Sequence, residues 1–362
     1  MLLVKPSILG RDLSSPRQVE GERPRPSQLD LTVVVPTFNS ADHIDACLLS
    51  VRRWLPDAEV VVVDNGSTDK TEEMVREAFP DAVLISGHGN VGFGRACNLG
   101  ADRAAHEYVL CLNPDAELVS VDQDALVALM ESRPLGIVGG TLIEDDGTVH
   151  PALWRRYSHW LTQLVAVHVL GVLSPYAPRT RFVERADARG AYTVSGSIVL
   201  VATDEFRSLG GFDERYFMYY EDADLAERYR QRDYPLRASP ALLARHVGGA
   251  SALTPLGLAL SFLGWLEYTD KWHGNASATR AAAIARIVYS GLMFVLRPLA
   301  NVTRNRRLQA KVEQLATMLS HIAMGAFDVD SSDPHERYPA AGPIARRQFR
   351  SFAPADPRPG LW

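Results

Sequence analysis

Short apolar runs alternate with amphipathic stretches between residues 30 and 120. The apolar runs are rich in β-branched residues and end at turn formers, which is typical of buried parallel strands. The predicted strands are Leu31–Val35, Glu59–Val63, Ala82–Ser86 and Tyr108–Leu112. Helical spacing between them predicts helices over Ala41–Trp54, Thr68–Phe79 and Gly94–Ala105. Because strands that alternate with helices form right-handed βαβ units, we expect a doubly wound α/β fold with a mostly parallel sheet.

The pattern is looser from residue 136 to residue 255. The expected elements are a strand at Gly136–Gly140, a hairpin over Thr141–His150 with its turn at Asp146-Gly147, a strand over Tyr192–Ala202, a helix from Thr203 to Leu209, a helix over Glu221–Gln231 and a last strand at Leu236–Ala238. Residues 152–190 carry Trp154, Trp160 and a Leu/Val-rich stretch between clusters of Arg, and we expect a long insertion there that is part helix and part mobile loop.

Residues 256–325 have a helical tendency. Two apolar stretches, Leu256–Leu266 and Ile287–Leu296, fall short of the roughly 18 residues that a spanning helix needs. Residues 286–312 hold six basic residues and no acidic one. Such a segment can lie on an anionic membrane surface. The alternatives are that these helices cover the sheet of the same subunit, or that they form a homodimer through heptad-spaced apolar residues, namely Leu308, Val312, Leu315 and Leu319.

Composition supports a soluble globular chain with appendages. The 362 residues are 46% hydrophobic and 22% charged, which is ordinary for a globular protein. Residues 1–28 are polar and rich in Pro and Arg, and they lack the apolar core of a signal peptide. We therefore expect a disordered leader at 1–28, a main domain at 29–255, a helical region at 256–325 and a flexible tail at 326–362.

Charge and cysteine content exclude some classes of protein. The formal net charge of −5 argues against a general nucleic-acid binder, which needs a basic face. Cys47, Cys97 and Cys111 are too few and too scattered for a disulfide framework or a zinc site. A reducing, cytoplasmic compartment fits this usage best.

Polar clusters follow the predicted strands. Pro36–Asn39, Asp64–Asp69 and Asn113–Glu117 come at strand ends, and Asn90–Arg95 precedes a helix. Open parallel sheets bind ligands at the carboxyl ends of their strands. Each cluster alone is also typical of turns and helix caps. The chain contains neither a P-loop nor a complete dinucleotide-binding glycine fingerprint, so a nucleoside triphosphatase and a dehydrogenase are both disfavoured.

The clusters together carry a family resemblance. The motifs are Val-Val-Val-Pro-Thr-Phe-Asn-Ser (33–40), Val-Val-Val-Asp-Asn-Gly-Ser-Thr-Asp (61–69), Asn-Val-Gly-Phe-Gly (90–94), Leu-Asn-Pro-Asp-Ala-Glu-Leu (112–118), residues 210–225 and His-Val-Gly-Gly-Ala-Ser (246–251). This set resembles family 2 glycosyltransferases with the Rossmann-like GT-A fold. The later motifs are most similar to the rhamnosyltransferase-like branch of bacterial cell-envelope enzymes.

The resemblance implies a binding site for a nucleotide-sugar donor. Its residues are Pro36, Thr37, Asn39, Asp64, Asn65, Asn90, Arg95, Asn113 and Asp115. Where the family carries a DxD-type motif, this chain has Asn113-Pro114-Asp115, so an amide replaces the first acid. Asp115 is then the expected ligand of a divalent cation, Mn²⁺ or Mg²⁺, and His246 completes its shell. Glu117 either turns inward to compensate or faces solvent.

The resemblance also implies an acid pair for catalysis. Asp222 is the expected general base that deprotonates the acceptor hydroxyl, and Glu221 is expected to orient the acceptor. Both acids also lie at a helix N-terminus, where a negative charge interacts favourably with the helix dipole, so they could simply stabilise the helix. Asp224 starts the outer face of the same helix, and we expect it to be structural.

The implied function is that of an inverting, metal-assisted glycosyltransferase. It moves a sugar, with rhamnose from dTDP-rhamnose as the suggested case and a UDP-sugar as the other, to a hydroxyl of a cell-envelope glycan or a polyprenyl-linked acceptor. The enzyme is expected to be cytoplasmic and peripheral at the inner face of the plasma membrane. The alternatives are a sugar-1-phosphate nucleotidyltransferase, and a non-catalytic nucleotide-sugar-binding subunit, which Asn113 would favour.

Overall fold

A computed structural model describes residues 29–143, 147–155, 160–164, 192–246 and 255–323. The predicted leader at 1–28 and tail at 326–362 lie outside these ranges. So do Asp146 of the predicted hairpin turn, most of the insertion at 152–190 and residues 247–251 of the last motif. The predicted domain boundaries stay predictions.

The described chain is built from alternating strands and helices. The strands are β1 (Leu31–Thr37), β2 (Glu59–Asp64), β3 (Val83–Ile85), β4 (Tyr108–Leu112), β5 (Ala116–Val121), β6 (Ile137–Ile143), β7 (Val149–Pro151), β8 (Leu153–Arg155), β9 (Tyr192–Val194), β10 (Ile198–Ala202) and β11 (Leu236–His246). The helices are α1 (Ile44–Trp54), α2 (Thr71–Ala78), α3 (Phe93–Arg103), α4 (Gln123–Met130), α5 (Trp160–Gln163), α6 (Thr203–Ser208), α7 (Glu221–Arg230), α8 (Pro255–His273), α9 (Asn275–Thr303) and α10 (Arg306–Ala323).

One large sheet organises the domain. Within the described residues it has nine strands in the order β3-β2-β1-β4-β10-β6-β11-β5, with β7 paired to β6. Strands β5, β7 and β10 run opposite to the other six, so the sheet is mixed but mostly parallel. The parallel register sets Thr37 of β1 opposite Asp64 of β2. The carboxyl ends of β1, β2 and β4 therefore meet at one edge of the sheet, as the sequence predicts.

Helices cover both faces of this sheet because its central strands are apolar on both sides. Val33 and Val35 of β1 pack in the same core as α1, whereas Val34 faces α3 on the other side. Gly100 of α3 is required there, because a Cβ atom on it would come within 2.2 Å of Val34 Cγ1. The predicted doubly wound α/β fold with a C-terminal helical extension is therefore confirmed.

The predicted strand over Tyr192–Ala202 is two strands. It breaks at Ser195-Gly196-Ser197, after which β10 enters the main sheet while β9 pairs with β8. The predicted last strand is also longer, since β11 runs on to His246 and pairs with β5 as well as β6. The break and the extension both lie next to the candidate site.

Three C-terminal helices share a core of their own. Apolar residues of α8, α9 and α10 form one cluster whose fully buried members include Trp265, Tyr289 and Leu315. The heptad-spaced stripe of α10 therefore serves packing within the chain, since Leu315 is buried and Leu319 packs against the same cluster. The stretch Leu256–Leu266 is likewise interior, with Phe262, Trp265 and Leu266 all buried.

The expectation that the second apolar stretch is too short to span a bilayer is corrected. Ile287–Leu296 lies within α9, which continues for 29 residues. Among the described helices, α9 alone is long and apolar enough to cross a membrane by length and composition. The residues on both sides of the short stretch, Arg286 and Arg297 included, continue the helix, so the test of length and composition applies to a longer segment than the apolar run alone.

Candidate active site

Asp64 is the centre of the loop that follows β2. Its carboxylate is buried and accepts hydrogen bonds from Thr37 Oγ1 at 3.1 Å, from the Gly66 and Ser67 backbone N–H groups at 3.1 and 2.9 Å, and from Ser67 Oγ at 2.5 Å. These bonds shape the loop in the way expected of a turn-forming aspartate. A contact of Asp64 with the base or ribose of a donor stays a prediction.

Asparagine side chains link the neighbouring loops. Asn39 has a positive φ of 50°, and its Oδ1 accepts a hydrogen bond from the Thr68 backbone N–H at 2.8 Å. Asn65 Nδ2 donates to the Gly92 carbonyl at 3.4 Å, and His88 Nε2 lies 3.3 Å from Asn65 Oδ1. Asn90 Oδ1 accepts from the Gly92 backbone N–H at 3.1 Å. These bonds therefore join three of the four predicted clusters, although each of them also has a structural role. The three clusters are Pro36–Asn39, Asp64–Asp69 and Asn90–Arg95.

Two other residues predicted to bind the nucleotide-sugar, Pro36 and Arg95, lie in a strand and at a helix start. Pro36 is buried within β1, opposite Val63 of β2. Arg95, in the first turn of α3, forms a half-exposed ion pair with Glu214 at 3.3 Å. A phosphate contact for Arg95 stays a prediction.

Asp115 and His246 meet at the end of β11. His246 pairs with Ala116 in the sheet, and its Nε2 lies 3.2 Å from Asp115 Oδ1. Asn113 Oδ1 is buried nearby in the chain and accepts no hydrogen bond from any described residue. Burial alone would raise the pKa of the Asp115 carboxyl, but hydrogen bonding and the charge of His246 outweigh it, so the pKa is lowered. The Asp115 carboxylate and the His246 imidazole thus lie together, and Asn113 is two residues from Asp115 in the chain.

Glu117 does not compensate for the missing acid of the DxD-type motif. It pairs with Arg245 at 3.2 Å, and both side chains are exposed by more than 40%. The alternation of β5 explains this, because Ala116 and Leu118 on either side of Glu117 are buried. Within the described ranges, no group of three or more His, Cys, Asp or Glu residues is close enough to hold a metal.

Glu221 and Asp222 start α7 in different surroundings. Asp222 Oδ2 accepts a hydrogen bond from the Gly196 backbone N–H at 3.1 Å, and its Oδ1 accepts from the Ala223 N–H at 2.7 Å. Glu221 is 6% exposed, and its Oε2 has no hydrogen-bond partner among the described residues. Burial raises the pKa of Asp222 to about 6, against the pull of its backbone hydrogen bonds. Burial, followed by the charge of Asp222, raises the pKa of Glu221 well above its usual value.

The Ser195–Ser197 turn joins the acid pair to the Asp115 region. The Gly196 N–H holds Asp222, while the Ser197 carbonyl accepts a hydrogen bond from the Asn113 N–H at 3.0 Å. Sequence analysis missed this turn because it treated 192–202 as one strand. A glycine flanked by two serines inside an apolar run was the available signal, since glycine weakens a strand and often marks a bend.

The turn that leads into α7 is strained. Tyr219 and Tyr220 both have positive φ, 69° and 71°, which costs about 1–3 kcal/mol for each residue. Helix α8 packs directly on this turn, since a Cβ atom on Gly264 would come within 2.5 Å of the Tyr219 carbonyl oxygen. The rings of Tyr220 and Tyr268 also lie 5.8 Å apart. The C-terminal helices thus hold the backbone that presents Glu221 and Asp222.

A buried aspartate ties α7 to α8. Asp224 is fully buried and accepts hydrogen bonds from Arg228 Nε at 2.8 Å and from Trp272 Nε1 at 2.9 Å. Lys271 Nζ lies 2.6 Å from Asp224 Oδ1 and 2.7 Å from Asp213 Oδ2. Asp224 is therefore structural, as expected, but it faces the protein interior and not the outer face of α7.

Comparison with known proteins identifies the family. The sequence profile of "Glycosyl transferase family 2" matches residues 32–198. The chain is also 32% identical over 219 residues to the N-acetylglucosaminyl-diphospho-decaprenol L-rhamnosyltransferase of Mycobacterium tuberculosis, a match that covers 55% of this chain and 69% of that protein. This chain belongs to glycosyl transferase family 2.

More distant proteins are similar as well. The low-salt glycan biosynthesis hexosyltransferase Agl10 of Haloferax volcanii is 24% identical over 215 residues, which cover 56% of this chain and 62% of that one. Among solved structures, a mannosyltransferase of Pyrobaculum calidifontis, determined in complex with GDP-Man and Mn²⁺, is 18% identical. That likeness covers 87% of this chain and 92% of the other, with a TM-score of 0.47.

Family 2 membership confirms the predicted family and makes the chain a glycosyltransferase. The profile match at residues 32–198 includes the loops after β1, β2 and β4, with Asn113 and Asp115. Glu221, Asp222 and His246 lie beyond that match. The individual roles of all these residues stay predictions.

The Asp224 contacts predict a strong effect on stability. We expect Asp224→Asn to lower the free energy of unfolding by about 3–5 kcal/mol, because it removes the buried anion that pairs with Arg228. It also leaves Lys271 with only Asp213 as a carboxylate partner among the described residues. Urea denaturation measures the change. Arg76→Met is the matched control, since it breaks an exposed ion pair with Glu72 and should cost about 0.5 kcal/mol or less. Equal losses in the two variants would contradict the assignment.

Proposed function

We propose that this family 2 protein is an inverting, metal-assisted glycosyltransferase that transfers a sugar from a nucleotide-sugar to a hydroxyl of a cell-envelope glycan or a lipid-linked acceptor. The expected donor is dTDP-rhamnose, and the sugar that it transfers is rhamnose. The name of the 32% identical mycobacterial relative, N-acetylglucosaminyl-diphospho-decaprenol L-rhamnosyltransferase, supports rhamnose as the sugar and a lipid-linked acceptor.

The observation that carries the proposal is the Ser195–Ser197 turn. Through adjacent residues it contacts both the Asn113–Asp115 segment and Asp222. A direct displacement needs these two functions side by side, since one must stabilise a departing diphosphate while the other takes a proton from the attacking hydroxyl.

The proposed displacement needs one base, and its bonds and protons balance. The acceptor oxygen bonds to the anomeric carbon as the bond from that carbon to the diphosphate oxygen breaks. The hydroxyl proton passes to Asp222, and the nucleoside diphosphate leaves with the bonding electrons. Attack from the side opposite the leaving group inverts the anomeric centre, and no covalent enzyme intermediate is needed.

The acid pair is suited to divided roles. Two carboxyl groups whose surroundings separate their pKa values can work as an acid and a base at one pH. With a pKa of about 6, Asp222 is ionised at neutral pH and can accept a proton. Glu221, whose pKa is raised much further, stays protonated and can donate a hydrogen bond that orients the acceptor.

The residues around Asp115 fit a divalent cation. Asp115 Oδ1 and His246 Nε2, 3.2 Å apart, suit neighbouring ligands of one ion, and the buried Asn113 Oδ1 has no described hydrogen-bond partner. A bound Mn²⁺ or Mg²⁺ supplies positive charge that neutralises the leaving diphosphate. An imidazole ligand favours Mn²⁺ over Mg²⁺. Asp115 and His246 hold the ion in this proposal, and Asn113 contacts it or the donor.

Replacing the base tests the reaction. We expect Asp222→Asn to lower kcat for transfer from dTDP-rhamnose or a UDP-sugar by about 10²–10⁴-fold, because a positioned base contributes that much. Nucleotide binding, measured by thermal stabilisation, should survive. Glu77→Gln, on the exposed side of α2, is the control and should leave kcat unchanged. Near-normal turnover in Asp222→Asn would refute the assignment, and no turnover of any donor by the unaltered protein would favour the non-catalytic alternative.

The pH profile distinguishes the two acids. Asp222 is active when deprotonated, so kcat should fall about tenfold for each pH unit below about 6. Glu221→Gln mimics the protonated acid and should keep this acidic limb, with the main loss in acceptor KM. If Glu221→Gln instead abolishes the limb, the roles of the two residues are reversed.

The cation proposal has its own test. We expect Mn²⁺ to strengthen binding of the nucleoside diphosphate in calorimetric titrations, and Asp115→Asn and His246→Ala to remove this metal dependence. Glu117→Gln is the matched control, because it changes a neighbouring carboxylate that faces solvent. Equal affinity with and without metal in the unaltered protein would overturn the cation's role.

A further inference from the structure

One face of α9 is apolar and exposed. Phe294 and Val302 are each 83% exposed, Ile287 is 72% exposed and Val295 is 63% exposed. At 100° per residue these positions fall on one side of the helix, together with the partly exposed Ile284. They form an outward stripe, which we call the α9 stripe and define as Ile284, Ile287, Phe294, Val295 and Val302.

The α9 stripe is not the face by which the helix packs. Ala281, Ala285 and Tyr289 are fully buried against α8 and α10, and the Tyr289 ring lies 5.8 Å from that of Phe262. The two faces are separate, so α9 is held in the protein by one side while it presents large apolar side chains on another. Exposed apolar surface of this kind marks an interaction site.

Basic residues accompany the stripe. The chain has no acidic residue from 275 to 312. Arg286 and Arg297 are exposed and eleven residues apart, close to three whole turns, so both lie on one side of the helix, between the α9 stripe and the packed face. Arg280, Arg304 and Arg306 add exposed positive charge towards the two ends of the helix.

We propose that the α9 stripe docks onto the surface of an anionic lipid bilayer, with the helix lying in the plane of the interface. Apolar side chains enter the acyl boundary while the arginines contact acidic headgroups, which is the arrangement of interfacial helices. The helix is about 43 Å long at 1.5 Å per residue, so its stripe offers an extended contact. A second protein copy would need complementary acidic groups, and α9 itself has none.

Spanning is disfavoured although α9 is long enough. A transmembrane α9 would take its packed partner α8 into the bilayer, together with Glu267, Asp270 and Lys271. Charged groups at that depth are costly. Lying flat leaves these groups on the protein side of the interface.

Helix α9 is connected to the acid pair, Glu221 and Asp222, by packed contacts through α8. Helix α9 packs on α8, and α8 holds the Tyr219–Tyr220 turn and α7. The bilayer surface is therefore set at a defined position relative to Asp222. The surface stands independently of the proposed reaction, because its test needs no turnover.

Vesicle sedimentation tests the surface with the full chain. We expect the protein to co-sediment with vesicles of equimolar phosphatidylcholine and phosphatidylglycerol at low salt, and to stay in solution with phosphatidylcholine alone. High salt should release it, because screening weakens the contact with headgroups. Equal recovery in the supernatant with both vesicles would overturn the proposal.

Variants locate the contact on α9. Phe294→Glu should abolish co-sedimentation, and Arg286→Gln and Arg297→Gln should each weaken the partition coefficient by about fivefold. Leu49→Glu is the matched control, because Leu49 is 56% exposed on α1 and should not affect binding. A cooperative thermal unfolding transition like that of the unaltered protein confirms that each variant is folded.

Three results would refute docking in the interface. Phe294→Glu that binds like the unaltered protein would show that the stripe makes no contact. Resistance to both high salt and alkaline carbonate would show a spanning helix. A dimer that Phe294→Glu converts to a monomer, without lipid binding in either form, would assign the stripe to a second copy.

Discussion

The buried carboxylate of Asp224 connects the main α/β domain, through α7, to the C-terminal helices, through α8. It lies on α7, two residues after Asp222, and binds Lys271 and Trp272 of α8. A buried anion needs close cationic and hydrogen-bonding partners, so α7 and α8 cannot separate without exposing or abandoning that charge. The orientation of α7, which carries the candidate acids Glu221 and Asp222, therefore depends on its contacts with a C-terminal helix.

The C-terminal helices therefore do more than cover apolar surface, because α8 also holds the turn before α7 in place. Gly264 lets α8 approach the strained Tyr219–Tyr220 turn, and the turn positions the acid pair. The energy stored in that turn is offset by packing in the core shared by α8, α9 and α10. A family 2 glycosyltransferase with a lipid-linked acceptor would gain from such a link, because a membrane contact at α9 and the base at α7 are then parts of one packed unit.

Much of the fold follows from local patterns. The valine-rich runs at 33–35 and 61–63 are buried on both faces of the sheet, and the clusters at Thr37, Asp64 and Asn113 meet at its edge as predicted. Parallel pairing brings strand ends together without any further information, which is why these residues could be assigned to one region. The break at Gly196 and the extension of β11 to His246 were missed, because each depends on pairing with strands distant in the sequence.

The sequence by itself determined the parallel strands between residues 31 and 112, their polar edge, the family and the identity of the candidate acids, because period, turn residues and motif spacing are local properties. Only the tertiary structure decided how those residues are used. In the folded protein Glu117 is exposed to solvent, and the Asp64 carboxylate accepts hydrogen bonds within its own loop. Asp224 is buried, and Glu221 and Asp222 have different surroundings and differently raised pKa values. The tertiary structure also separated the packed face of α9 from its exposed stripe. Burial, hydrogen-bond partners and pKa arise from contacts between distant segments, and no single stretch of the chain encodes them.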